Sequence, residues 1–116
     1  MSGEFTNIEG VLAEAQNQNY YDLLIKQLSK DLMRVGVVQV SEMPCAPIDL
    51  KVWLENVLLE LIKYDFDSYL QLLYVVDVSE KEMRNLTASL PEEMVEDVVF
   101  LILKREWQKV WFRSKL

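Results

Sequence analysis

The sequence predicts an all-α fold, an antiparallel helical bundle of four main helices plus one or two short ones. Three observations point there. Apolar side chains recur at a period near 3.6 residues through most of the chain, which aligns them on one face of a helix. Ser/Thr-x-x-Glu capping boxes stand just ahead of three of those runs. The chain holds only three glycines and three prolines, too few for the many tight turns of a sandwich or barrel. With 116 residues, 51% of them apolar, a single bundle domain is expected over residues 18–116, preceded by a tail or short helix over 1–17.

Thr6-Asn7-Ile8-Glu9 has the spacing of a capping box, and Ile8, Val11, Leu12 and Ala15 would form the stripe of the helix that follows. Asn17-Gln18-Asn19 reads as a break. Tyr21, Leu24, Ile25, Leu28 and Leu32 then mark a second helix that runs to Val35, with Gly36 free to take the positive φ of a helix end. Between Gly36 and Pro47 the helical pattern fails: Val38 and Val40 alternate with Gln39 and Ser41, which reads as an extended loop packed on the core.

Pro47 opens the third helix, which carries Leu50, Trp53, Leu54, Val57, Leu58 and Leu61 on a wide stripe. Leu59 and Ile62 lie off that stripe, so contacts on two sides and a central position are expected. Asp65 or Asp67 caps a fourth helix from Ser68 to Val76, so apolar apart from Gln71 that it reads as a buried element. Ser79-Glu80-Lys81-Glu82 starts a short helix bearing Met83 and Leu86, and Ser89-Leu90-Pro91-Glu92 opens the last. That helix, from Leu90 to Ser114, keeps its period through Val95, Val98, Val99, Ile102, Leu103, Trp107, Val110 and Trp111. Acids crowd its start and cations its end, matching the helix dipole at both termini.

Charge and chemistry narrow the function. The net charge is −7, and the chain has no histidine, which removes the commonest general base and transition-metal ligand. Paired acids such as Asp65 with Asp67 lack the Gly and terminal Glu of a calcium loop, and no Glu-x-x-His pair exists for a di-iron bundle. An enzyme would need Asp65, Asp67 or Glu60 to converge with Tyr64 or Tyr69 in a polar cleft. The lone Cys45 excludes an intrachain disulfide, fits a reducing compartment, and has no histidine to activate it. Met1-Ser2-Gly3-Glu4 has neither a basic start nor an apolar run, and the longest apolar stretch, Val98 to Leu103, is too short to cross a bilayer. A soluble, cytoplasmic protein without catalytic, metal or cofactor-binding residues is expected.

Two groups of residues invite a binding role. From Lys104 to Leu116 there are five cations against Glu106, a local charge of +4, interleaved with Trp107, Trp111 and Phe112. Such a mixture suits nucleic acid, but Trp107 and Trp111 continue the apolar stripe, and the remaining −11 repels phosphate. Nucleic acid is therefore the alternative to a protein partner or homodimer. Phe112 falls off the stripe and, with Lys109 and Arg113, is a candidate partner contact. Tyr64 and Tyr69, flanking the loop before the fourth helix, are the others. Exposed, they would mark a protein interface; with their hydroxyls reaching water, they would simply close a small core.

Asp77-Val78-Ser79-Glu80-Lys81 and the run from Lys104 to Arg113, KREWQKVWFR, resemble segments of small, uncharacterised all-helical bacterial proteins. The likeness extends over about residues 19 to 116 and implies the same helical fold. No activity attaches to that group, so it implies no functional residue.

Overall fold

A computed structural model describes residues 7–86 and 91–115, with side chains from residue 93 onward in the last helix. Six helices appear among them: α1 (Ile8–Asn17), α2 (Tyr21–Arg34), α3 (Pro47–Tyr64), α4 (Phe66–Val76), α5 (Glu80–Arg84) and α6 (Pro91–Ser114), with a 3₁₀ turn at Val38–Glu42 between α2 and α3. No strand occurs among the described residues, so the fold is all-α. None of these helices is long and apolar enough to cross a membrane.

The hub is α6, not α3. Helices α1, α2, α3 and α4 all pack on α6, while α3 also meets α4, and α2 meets α1 and α4. The reason lies in the width of the α6 face. Val98, Val99, Leu101, Ile102, Leu103 and Trp107 are all buried, so the apolar surface wraps most of the helix through its middle turns. Opposite it, α1 buries Ile8, Val11, Leu12 and Ala15, and α3 buries Leu50, Leu54, Val57 and Leu58. Each fully buried leucine contributes roughly 1.5–3 kcal/mol relative to exposure.

The helix starts follow side-chain chemistry. Asn7 Oδ1 accepts from Gly10 N at 2.8 Å and so caps α1 one residue later than a Thr6 cap would; Thr6 lies outside the described residues. Asp65 Oδ1 accepts from Ser68 N, and Ser68 Oγ donates to Asp65 Oδ2 at 2.7 Å, which starts α4 at Phe66 rather than Ser68. Ser79 Oγ accepts from Glu82 N at the start of α5. The capping box of the last helix falls outside the described residues.

Three helix ends share one device. After α1, Tyr20 N donates to Ala15 O and Asn19 N to Gln16 O; after α2, Val37 N donates to Leu32 O and Gly36 N to Met33 O; after α4, Val78 N donates to Leu73 O and Asp77 N to Tyr74 O. These are Schellman closures, and each needs one residue in the left-handed region. Gly36 (φ 83°), Asn19 (φ 61°) and Asp77 (φ 70°) occupy it. The closure at Gly36 aims Val37 into the core and leads into the 3₁₀ turn. That turn corrects the expected extended loop: Val38 points to solvent, and the alternating valines reflect a tight helical turn that packs on α2.

The fourth helix also departs from expectation. Tyr69, Leu72 and Val76 are buried, but Phe66, Leu70 and Tyr74 are 51%, 48% and 85% exposed. A helix lying on the surface of the bundle presents only one side to it, and here the outer side is apolar as well.

Candidate functional site

On α2, the face buried against the bundle reads Leu24, Gln27, Leu28, Asp31, Leu32. On α6 it includes Ile102, Leu103, Glu106, Trp107 and Val110. Helical spacing therefore sets Gln27 and Asp31 one turn apart on one helix, and Glu106 and Lys109 nearly so on the other. The four meet between the helices. Lys109 Nζ donates to Asp31 Oδ2 at 2.6 Å and lies 2.9 Å from Glu106 Oε1. Gln27 Nε2 donates to both Asp31 oxygens, at 3.2 and 3.3 Å. Asp31 is 1% exposed and Glu106 is 0% exposed.

Two acids this close, with one lysine, cannot both hold a charge cheaply. Burial first, and then its hydrogen bond to Asp31, push the Glu106 carboxyl up to about 8 against the pull of Lys109. Burial alone would raise Asp31 too, but hydrogen bonds from Glu106, Lys109 and Gln27, with the lysine charge, hold it below the ordinary carboxylate range. The Lys109 ammonium is near Glu106 Oε1 but off the line of a hydrogen bond, so neither Glu106 oxygen has a donor from another side chain. A proton on Glu106 resolves this: its O–H donates to Asp31, and Asp31 carries the single negative charge opposite Lys109. The cluster is then electrically balanced. Both acids are sealed from the surface, so no substrate can reach them, and the arrangement acts as a polar lock between α2 and α6.

Immediately outside the lock, a groove of about 270 Å³ separates the same two helices. Leu23 and Val110 supply apolar walls, Gln27 reaches it from the cluster, and Lys26, Lys30 and Arg113 surround it. Comparison of the chain with known protein families, curated proteins and solved structures returns no match.

The structure scatters the residues singled out in the sequence. Phe112 is exposed, and Arg113 lines the groove. Lys109 is occupied by Asp31, and its side chain keeps only 17% of its exposure, so it is a structural cation. Tyr69 is buried, with its ring 5.4 Å from that of Phe66, and offers nothing to a partner. Tyr64 is exposed at the end of α3. Glu60, Asp65 and Asp67 all face solvent and Asp65 is spent on its cap, so they build no cleft with Tyr64 or Tyr69. Among the described residues, no group of three or more His, Cys, Asp or Glu side chains could hold a metal ion.

The basic run on α6 is largely neutralised within the fold. Lys104 pairs with Glu82, Arg105 Nη2 lies 3.0 Å from Asp77 Oδ2, and Lys109 pairs with Asp31. Trp107 is fully buried, packed between Tyr20 at 6.1 Å and Trp111 at 5.9 Å between ring centroids. Lys115 sits over the Trp111 ring at 4.2 Å.

Proposed function

We propose that this protein is a non-enzymatic interaction module that pairs with a second copy of itself through α4. The observation that carries the reading is the outward stripe Phe66, Leu70, Tyr74, spaced four residues apart on one helix. Such a stripe is costly to leave in water, and the described residues leave about half or more of each of its side chains uncovered. With Tyr64 it exposes apolar and aromatic surface on the order of 500 Å².

The order of the side chains favours a second copy over an unrelated chain. A two-fold axis through Leu70 sets Leu70 on its own counterpart and brings each Phe66 against the Tyr74 of the other helix. This aromatic–leucine–aromatic pattern is self-complementary, as an isologous interface requires. Area on the order of 500 Å² a side is below the roughly 800 Å² of a standard interface, so the dimer belongs to the weak, reversible class. The nucleic-acid alternative loses support from the ion pairs of Lys104, Arg105 and Lys109, which leave few cations on α6 to meet phosphate.

Light scattering coupled to size exclusion, run over a range of loading concentrations, tests the reading. The wild-type mass rises from monomer toward dimer with concentration, while Leu70→Glu and Tyr74→Glu stay monomeric. A wild-type mass that remains monomeric at millimolar concentration, or variants that dimerise equally well, would refute it.

A further inference from the structure

The groove between α2 and α6 has a surface chemistry of its own. Lys26 and Lys30 stand one helical turn apart, and Leu23 lies on the same face. Arg113 approaches from α6. Like charges at this spacing repel, at roughly 0.2–0.5 kcal/mol, and bringing a third cation to the rim adds to that repulsion. Five cations of the fold, Lys51, Arg84, Lys104, Arg105 and Lys109, each have an acid within 4.0 Å. Among the described residues Lys26, Lys30 and Arg113 have none, as is also true of Arg34, Lys63, Lys81 and Lys115, but these three line a single groove on a chain with an excess of seven negative charges. A concentration of unpaired cations around an apolar floor, on an otherwise acidic protein, is a local inversion of charge.

We propose that this groove docks an acidic peptide segment of a partner protein, its carboxylates on Lys26, Lys30 and Arg113 and an apolar side chain between Leu23 and Val110. The lining distinguishes among anions. No aromatic ring faces the groove, so the stacking platform of a single-stranded nucleic acid is missing. At about 270 Å³ the space falls short of the ~300–1,000 Å³ of small-molecule pockets, and its position between two helices suits one apolar side chain of a longer segment. The leucine and valine walls would be wasted on a bare phosphate. The surface lies on α2 and α6, separate from the α4 stripe, so the two interactions stand or fall independently.

Amide chemical-shift mapping of the full-length protein tests the assignment, with a synthetic Asp/Glu-rich hexapeptide carrying two leucines as the probe. The expected result is saturable shifts confined to the segments around Leu23–Lys30 and Val110–Ser114, weakening as salt rises from about 50 to 300 mM. Lys26→Glu with Lys30→Glu, and separately Arg113→Glu, reduce affinity at least about tenfold. All three side chains are exposed, so an unchanged thermal melt verifies folding, and Lys26→Gln with Lys30→Gln gives a milder loss in the same direction. Leu70→Glu, which blocks the proposed dimer, leaves peptide binding intact. No shifts at millimolar peptide, shifts located elsewhere, or charge-reversed variants that bind equally would overturn the proposal. So would tripolyphosphate, an oligothymidylate or phosphatidylserine vesicles that occupy the groove more tightly than the peptide.

Discussion

The Lys109 ammonium lies 2.6 Å from Asp31 Oδ2, tying the last turn of α2 to the C-terminal part of α6 across 78 positions of sequence. Removing the lysine leaves two acids facing each other in a dry space. Lys109→Ala therefore costs about 3–5 kcal/mol, the penalty for breaking a buried pair, whereas truncating the exposed Arg84–Glu80 pair costs less than about 1 kcal/mol. Urea denaturation of both variants measures the difference.

The protonated carboxyl at Glu106 makes stability depend on pH. Its folded value of about 8 stands above the ordinary 4.5, so the folded state binds the proton more tightly. The stabilisation is complete below 4.5 and is lost as pH rises through about 8, a loss on the order of a few kcal/mol. Asp31 acts in the opposite sense: lowered from 3.8, it stabilises above that value, and the benefit fades as the solution is acidified below it. Denaturation midpoints between pH 5.5 and 8 decline for the wild type, and Glu106→Gln, which is neutral throughout, flattens the decline. Parallel curves for the two proteins would place the proton elsewhere.

In the core, Trp107→Ala costs about 3–5 kcal/mol and Leu58→Ala about 2–5 kcal/mol, since both side chains are fully buried. Trp107→Phe costs much less, because the indole Nε1 is buried with no hydrogen-bond partner and its loss strands no acceptor. Thermal unfolding followed by calorimetry ranks the three.

Helix ends give a test with opposite signs. Gly36→Ala destabilises by about 1 kcal/mol although nothing lies within 4 Å of the added methyl, because φ at +83° is itself the obstacle. Asp77→Gly relieves the same strain at the α4 terminus and gives up one exposed ion pair to Arg105, so stability rises or holds level. Equilibrium denaturation of the pair in one buffer checks both directions.

Much of this fold is legible in the residues because helices announce themselves locally. The stripes Ile8–Val11–Leu12–Ala15 and Leu50–Leu54–Val57–Leu58 are buried where periodicity puts them, and Pro47, Gly36 and Ser79 stand at the ends they mark. Asn19 and Asp77 close helices as Gly36 does; both residue types tolerate the left-handed region better than other side chains, but they mark it less plainly than glycine. Which helix occupies the centre depends on packing between distant segments, so the wide apolar face of α6 was readable and its role as hub was not. The polar lock left a trace: Asp31 falls between Leu28 and Leu32, and Glu106 falls in step with Ile102, Leu103 and Val110. An acid in register with an apolar stripe indicates a buried group, but its partner 75 or so residues away carries no sequence mark. In α4 the excess of apolar residues is visible, and only the neighbouring helices decide that Phe66, Leu70 and Tyr74 face outward.

Whether α4 meets its own copy is answered most directly by disulfide trapping. Helices about 8–10 Å apart bring facing Cα atoms to roughly 4–6 Å, within the reach of a disulfide. In a Cys45→Ser background, Leu70→Cys on the two-fold axis should oxidise rapidly to a covalent dimer, while Lys30→Cys on the groove side should not. Equal, slow oxidation of the two variants, or no covalent dimer from Leu70→Cys at high concentration, would contradict pairing through this stripe.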